Sequence, residues 1–162
     1  MTPSFRVGQG FDVHPYSDDP TRPLVLGGVV FPGELGLVGH SDADVAAHAC
    51  TDALLGAAGL GDIGQCFPDT DPSLAGADSV ELLRRAAAMA VAAGWRVVNI
   101  DCTLVLDHPK LAPVRDERER HLAAAAGGVV SVKGKRTEGV EGLGGGIQGH
   151  AVALLTTVDT SQ

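Results

Sequence analysis

From Phe5 the chain alternates as FRVGQGFDVH, with Phe5, Val7, Gln9, Phe11 and Val13 on one side and Asp12 and His14 together on the other, the period of a β-strand. Residues 17–23 are polar and proline-containing, hence a loop, and LVLGGVVF at 24–31 predicts two short strands turning at Gly27-Gly28. A helix follows Gly39, with Ser41 expected as its N-cap and Asp44 closing a variant of the capping box. Asp44, His48 and Asp52, spaced by four, then share one stripe, while Val45, Ala49 and Ala53 face a core. Gly59 and Gly61 end this helix, and GDIGQCFPDTDP reads as loop because Pro68 and Pro72 exclude regular interiors.

Asp78 with Glu81 caps a second helix whose apolar face is Leu82, Leu83, Ala86, Met89 and Ala90, and Gly94 stops it. Residues 95–106, WRVVNIDCTLVL, are the clearest strand. A turn through DHPKLAP leads into a short helix ending near Ala126, whose RDERER run reads as a solvated charged face. VVSVKG is a further strand, GVEGLGGGIQG a glycine-rich loop, and HAVALLTTV a closing strand. Strand, hairpin, helix, helix, strand, helix, strand, strand is not a regular βαβ alternation. It predicts an α+β fold, a single mixed four-stranded sheet with helices on one face and a small hairpin beside it.

Composition is uniform along 162 residues, which argues for a single domain over 1–162. Aromatic residues make up only 4%, so the core must be built from Val, Leu, Ile and Ala, and burial against copies of the chain would add to it. The net charge of −8, without a basic run, makes a nucleic-acid backbone an unsuitable partner. A small phosphorylated substrate stays possible if metals and backbone N–H groups supply positive potential. Cys50, Cys66 and Cys102 are odd in number and not paired as CxxC, the pattern of free thiols in a reducing compartment. Neither a signal peptide nor an apolar run of spanning length is read, so the expected location is the cytoplasm, with no membrane partner.

Asp12 and His14, two apart on a strand end, could bind one metal ion, although D-x-H is a short and common motif. His48, flanked a turn away by Asp44 and Asp52, suits either a metal ligand or a solvated acidic face. Together the three offer two imidazoles and a carboxylate with one position open, the pattern of a catalytic rather than a structural zinc.

GFDVH, GHSDADVAAHACTDALLGAAGLGDIG, FPDTDP, GADS and the terminal GHAVALL resemble the 2-C-methyl-D-erythritol 2,4-cyclodiphosphate synthase family, over about residues 5–155. The resemblance implies cyclisation of 4-diphosphocytidyl-2-C-methyl-D-erythritol 2-phosphate with release of CMP, in non-mevalonate isoprenoid precursor synthesis. It implies a homotrimer with active sites between subunits, each with Zn²⁺ and a second divalent ion, Mg²⁺ or Mn²⁺. Matched by position, Asp12, His14 and His48 fall on the zinc ligands and Glu138 on the second ion, and Asp12, His14 and Glu138 also border the substrate. His40 and Thr137 fall on catalytic polar groups that also touch substrate. Ser41, Asp62, Ile63, Gly64, Phe67, Pro68, Asp69, Thr70 and Asp71 fall on the erythritol-phosphate pocket. Leu106, Lys110, Leu111 and Arg136 fall on the cytidine-diphosphate side.

The chain departs from the family pattern late. Lys135 and Arg136 stand before Thr137 where threonines are usual, and GVEGLGGGIQG is shorter and lacks the usual arginine. That change argues against isoprenoid diphosphate binding in an axial channel. The rival readings are a zinc-dependent phosphoester hydrolase and a non-catalytic metal-binding module. The presence of His40, Asp62, Lys110 and Glu138 beyond the three ligands argues against the latter.

Overall fold

The computed structural model describes residues 4–158. β1 (Phe5–Pro15) is followed by the hairpin β2 (Leu24–Leu26) and β3 (Val29–Phe31), then α1 (Val45–Ala58) and the one-turn α2 (Ile63–Cys66). α3 (Ser79–Ala92), β4 (Trp95–Val105), α4 (Arg115–Ala126), β5 (Val129–Lys135) and β6 (Gly146–Thr157) complete the order. The strands form one four-stranded sheet, β1-β6-β4-β5, beside the two-stranded β2-β3 sheet. β6 is antiparallel to both β1 and β4, and β4 pairs parallel with β5 across the α4 connection, so the sheet is mixed as expected.

α1 packs across β1, β6 and β4, α3 lies against α1 and β4, and α4 covers β5. The buried core lies on this side: Ile100, Cys102, Leu104, Ile147, Ala151, Ala153 and Leu155 from the sheet, Leu54, Leu55, Leu83 and Leu122 from the helices. On β1 the alternation turns out opposite to its hydrophobicity. Phe5, Val7, Phe11 and Val13 point away from the helices and are exposed, while Gly8 and Gly10 face α1. A Cβ on Gly8 would stand 2.1 Å from the Ala53 carbonyl oxygen, and one on Gly10 would stand 2.1 Å from that of Ala49. Only glycine lets this strand run so close beneath the helix.

Several local expectations are corrected. Asp44, not Ser41, is the N-cap of α1; its carboxylate accepts from the N–H of Ala46 and Ala47. The same buried carboxylate accepts from Gly27 N (2.8 Å) and Gly28 N (2.7 Å), joining the hairpin turn to the helix start. Asp44 is therefore not on a solvated stripe with His48. Asp52 is also spoken for, accepting from Phe11 N and Ile63 N. The segment read as loop contains α2, capped by Asp62 through Gln65 N, and a 3₁₀ turn at Pro72–Leu74 capped by Asp71. Asp78 caps α3 as expected, but Met89 is exposed rather than on the apolar face. In RDERER the fourth residue breaks the pattern: Arg118 is buried. Among the described residues no helix is long and apolar enough to cross a membrane.

Candidate functional site

The close approach of β1 to α1 carries the strand end, Asp12 and His14, up to His48 on the first turn of the helix. Asp12 Oδ2 lies 3.1 Å from His14 Nε2 and 3.1 Å from His48 Nδ1, and the two imidazole nitrogens are 3.4 Å apart. Four donors around a zinc-sized ion at bond lengths of about 2.0–2.1 Å sit about 3.3–3.4 Å from one another, so this spacing fits such an ion almost unchanged. Among the described residues these three form the cluster with metal-ligand geometry.

The outer nitrogens are held in the matching tautomers. His14 Nδ1 lies 2.6 Å from the Val38 carbonyl, to which it can only donate, leaving the Nε2 lone pair toward Asp12. His48 Nε2 meets Ser79 Oγ at 2.8 Å and Ser41 Oγ at 3.1 Å, while the Ser79 hydroxyl donates to the Asp42 carboxylate. With its proton committed to Asp42, Ser79 can only accept from His48, so His48 Nδ1 is free for a metal. Burial pushes the Asp12 carboxyl up, but hydrogen bonds and charge from His14 and His48 outweigh it and bring the group down to about 2. His14 is displaced upward: burial lowers it, and Asp12 together with the Val38 carbonyl more than compensates.

Arg22, from the loop before the hairpin, donates to the carbonyls of Leu37, Gly39 (3.0 Å) and Ser41 (2.7 Å), and so pins the loop that carries His40 and Ser41. His40 Nε2 is bonded to the Asp71 carbonyl at 2.9 Å. The metal-type triad opens into a cavity of about 370 Å³ whose walls include His40, Ser41, Ile63, Gly64, Phe67 and Asp69. Asp62, Pro68, Thr70 and Asp71 do not line it; the carboxylates of Asp62 and Asp71 serve as helix caps.

The remaining expected residues lie elsewhere on the same chain. Leu106, Lys110, Leu111 and Arg136 line a separate cavity of about 390 Å³ between the β4 end, α4 and β5. Thr137 lines a third, with Tyr16 and Asp107. Its hydroxyl donates to Asp107 at 2.6 Å, and its N–H donates to the same carboxylate. Glu138 follows, exposed, with a φ of 52°. Sequence reasoning missed Arg22, Asp42 and Ser79 as parts of the site. Ser79 lies inside the GADS motif and could have been suspected there; Arg22 carries no local signal.

The profile of the YgbB family matches residues 5–156. The chain belongs to this family, that of the 2-C-methyl-D-erythritol 2,4-cyclodiphosphate synthases. The synthase of Azoarcus sp. strain BH72 is 54% identical over 160 residues, covering 96% of this chain and 98% of that protein. That of Geobacillus kaustophilus is 52% identical over 156 residues, covering 93% and 98%. Among solved structures, a synthase of this family in a CDP-bound form superposes with a TM-score of 0.83 at 40% identity, covering 93% of this chain and 99% of that one. The bifunctional IspDF of Campylobacter jejuni superposes with a TM-score of 0.92 at 36% identity, and 99% of the present chain spans 44% of that longer protein. The synthase fold thus accounts for both the mixed sheet and the hairpin.

Proposed function

We propose that the chain cyclises 4-diphosphocytidyl-2-C-methyl-D-erythritol 2-phosphate to 2-C-methyl-D-erythritol 2,4-cyclodiphosphate, releasing CMP. The observation that carries this is the Asp12–His14–His48 triad opening on one cavity with His40 and the 63–69 loop, in a chain of the synthase family. The reaction is an internal phosphoryl transfer: the 2-phosphate attacks the β-phosphorus, and the bond from that phosphorus to CMP breaks. Such a step needs alignment and charge neutralisation more than it needs a protein nucleophile.

The donor set suits Zn²⁺ at Asp12, His14 and His48, with Mg²⁺ or Mn²⁺ at Glu138, and such ions withdraw charge from the phosphates when bound. His40, with Nε2 taken by the Asp71 carbonyl, has Nδ1 left for the substrate. Ser41, Asp62, Ile63, Gly64 and residues 67–71 enclose the erythritol phosphate. Lys110 and Arg136 supply positive charge beside Leu106 and Leu111, where the cytidine diphosphate binds, and Thr137 contributes its hydroxyl at the phosphates.

The metal cavity and the nucleotide cavity are separate within one chain, which favours a shared site between subunits of a homotrimer. The uncovered sheet face, with Phe5, Val7, Phe11, Val13 and Val152 exposed, is the surface such an assembly would bury. Three free cysteines suit work in the reducing cytoplasm. Mass spectrometry of the product from the cytidylated substrate tests the reading. Cyclic diphosphate and CMP in equal amounts are expected; an open-chain phosphate carrying solvent oxygen would identify a hydrolase instead.

A further inference from the structure

Along residues 37–41, in the loop before α1, the main-chain carbonyls face alternately two ways. Those of Leu37, Gly39 (3.0 Å) and Ser41 (2.7 Å) turn to the Arg22 guanidinium, Nε donating to the first and Nη2 to the other two. Those between them turn elsewhere. The Val38 carbonyl accepts from His14 Nδ1 at 2.6 Å, and the His40 carbonyl accepts from Gly76 N at 2.8 Å. A single side chain thus holds every second peptide of the loop, and one of the peptides left over meets a residue of the metal-type triad.

Arg22 can serve as a fixed point because its own turn is tied down. The Asp19 carboxylate accepts from Thr21 N (2.8 Å) and Thr21 Oγ1 (2.7 Å), and the Asp19 carbonyl accepts from Arg22 N at 3.2 Å. The loop is pressed against this turn on one side and against the histidine on the other. A Cβ on Gly36 would stand 2.4 Å from the Arg22 carbonyl oxygen, and one on Gly39 would stand 3.2 Å from His14 Cε1. A peptide that tilts away from Arg22 therefore takes the Val38 carbonyl off His14. The planar fork matters here, because it presents donors in fixed directions to three carbonyls, which the point charge of an ammonium does not.

We propose that Arg22 is a positioning residue for the metal ligands: it turns the Val38 carbonyl onto His14 and so fixes which imidazole nitrogen is left open toward Asp12. This rests on the reading that Asp12, His14 and His48 hold zinc. Two acceptors compete for the one proton of a neutral His14, the Val38 carbonyl at Nδ1 and Asp12 Oδ2, 3.1 Å away, at Nε2. The first arrangement leaves Nε2 a lone pair for an ion, and the second blocks it. Without the guanidinium the Val38 peptide is free to turn, and the proton passes to the Asp12 side.

The test compares wild-type protein with Arg22→Ala in two measurements, with circular dichroism to report the fold. Zinc affinity is taken from competition with a chromophoric chelator, and the His14 tautomer from nitrogen-15 NMR of the EDTA-treated chain in alkaline buffer, where His14 is neutral. Arg22→Ala should lose about 10- to 100-fold in zinc affinity, and its His14 should move from the Nδ1–H toward the Nε2–H tautomer. Millimolar guanidinium ion, which fits the vacated place, should restore part of both. Should Arg22→Ala fail to fold, Arg22→Lys keeps the charge and the stem but not the fork, and should show the same two changes. A folded variant whose His14 keeps the Nδ1–H tautomer makes Arg22 a merely structural clamp and overturns the inference, whatever its zinc affinity. A tautomer change with zinc affinity untouched overturns it as well. Wild-type protein that takes up no zinc is a different failure: it overturns the reading of the triad, and this inference with it.

Discussion

Ser79 Oγ lies 2.8 Å from His48 Nε2, and the Asp42 carboxylate, by taking the serine proton, makes that oxygen an acceptor. A hydroxyl on α3 thereby decides which nitrogen of a histidine on α1 faces Asp12. Ser79→Ala leaves His48 Nε2 with Ser41 Oγ alone at 3.1 Å, free to rotate or change tautomer. Metal affinity, measured by competition with a chromophoric chelator, should fall about 10- to 100-fold while the fold persists. Unchanged affinity would show that Ser41 suffices.

Acid–base behaviour of the metal-free chain follows from the same cluster. Asp12 titrates near 2 rather than 3.8, so its contribution is present above 3.8 and is lost as pH falls through about 2. His14 is raised above 6.5, so its contribution is full below 6.5 and is lost as pH rises past its folded value. The metal-free cluster therefore stabilises most between pH 3.8 and 6.5. Urea unfolding of EDTA-treated wild type against Asp12→Asn should show a gap of about 2 kcal/mol near pH 5 that narrows toward pH 2 and above neutrality. A gap growing steadily with pH would contradict this.

Asp44 joins the hairpin turn to α1 through four N–H groups, those of Gly27, Gly28, Ala46 and Ala47. Burial pushes its carboxyl up to about 6, against the pull of those donors, so at neutral pH it is ionised and accepts on both oxygens. Asp44→Asn keeps the shape but turns an NH₂ group toward one of them. A loss of about 3 kcal/mol in unfolding free energy is expected, and more for Asp44→Ala. Denaturant melts at pH 7 measure it; a loss below about 1 kcal/mol would mean water replaces the contacts.

Separate cavities for metal and nucleotide predict complementation between chains. Asp12→Ala and Lys110→Ala proteins, each weakly active alone, should recover part of the wild-type rate after unfolding and refolding together. Mixed oligomers, verified by native mass spectrometry, that stay inactive would place both residues in one chain's site.

The grouping of Asp12, His14 and His48 was legible from sequence because the three sit on two regular elements, with Asp12 and His14 in strand period and His48 inside a long motif. The element order was legible for the same reason, since apolar periods and glycine stops mark each boundary. Illegible were the groups whose roles depend on tertiary neighbours. Ser41 and Asp44 are equally good caps on paper, and the choice between them is made by the hairpin N–H groups that Asp44 also serves. Arg118 has the local signature of a solvated residue, and only the packing of its stem on Gly27 turns it inward. The outward apolar side of β1 reads like a core face, because a sequence cannot say whether glycine or phenylalanine meets the helix.

Gly8 and Gly10 act as a thickness gauge. Moving the atoms around a Cβ at Gly10 from 2.1 Å to an ordinary 3.4 Å would lift the strand from the helix by more than an ångström. His48 rides on the helix while Asp12 and His14 ride on the strand, so the jaw would open by a similar amount with every ligand still in place. At the proposed zinc site, ion-size preference would then be a property of backbone clearance as much as of donor chemistry. Gly10→Ala should give up zinc in favour of a larger ion such as Mn²⁺ in direct competition, a change in selectivity made by a methyl group that never touches the metal.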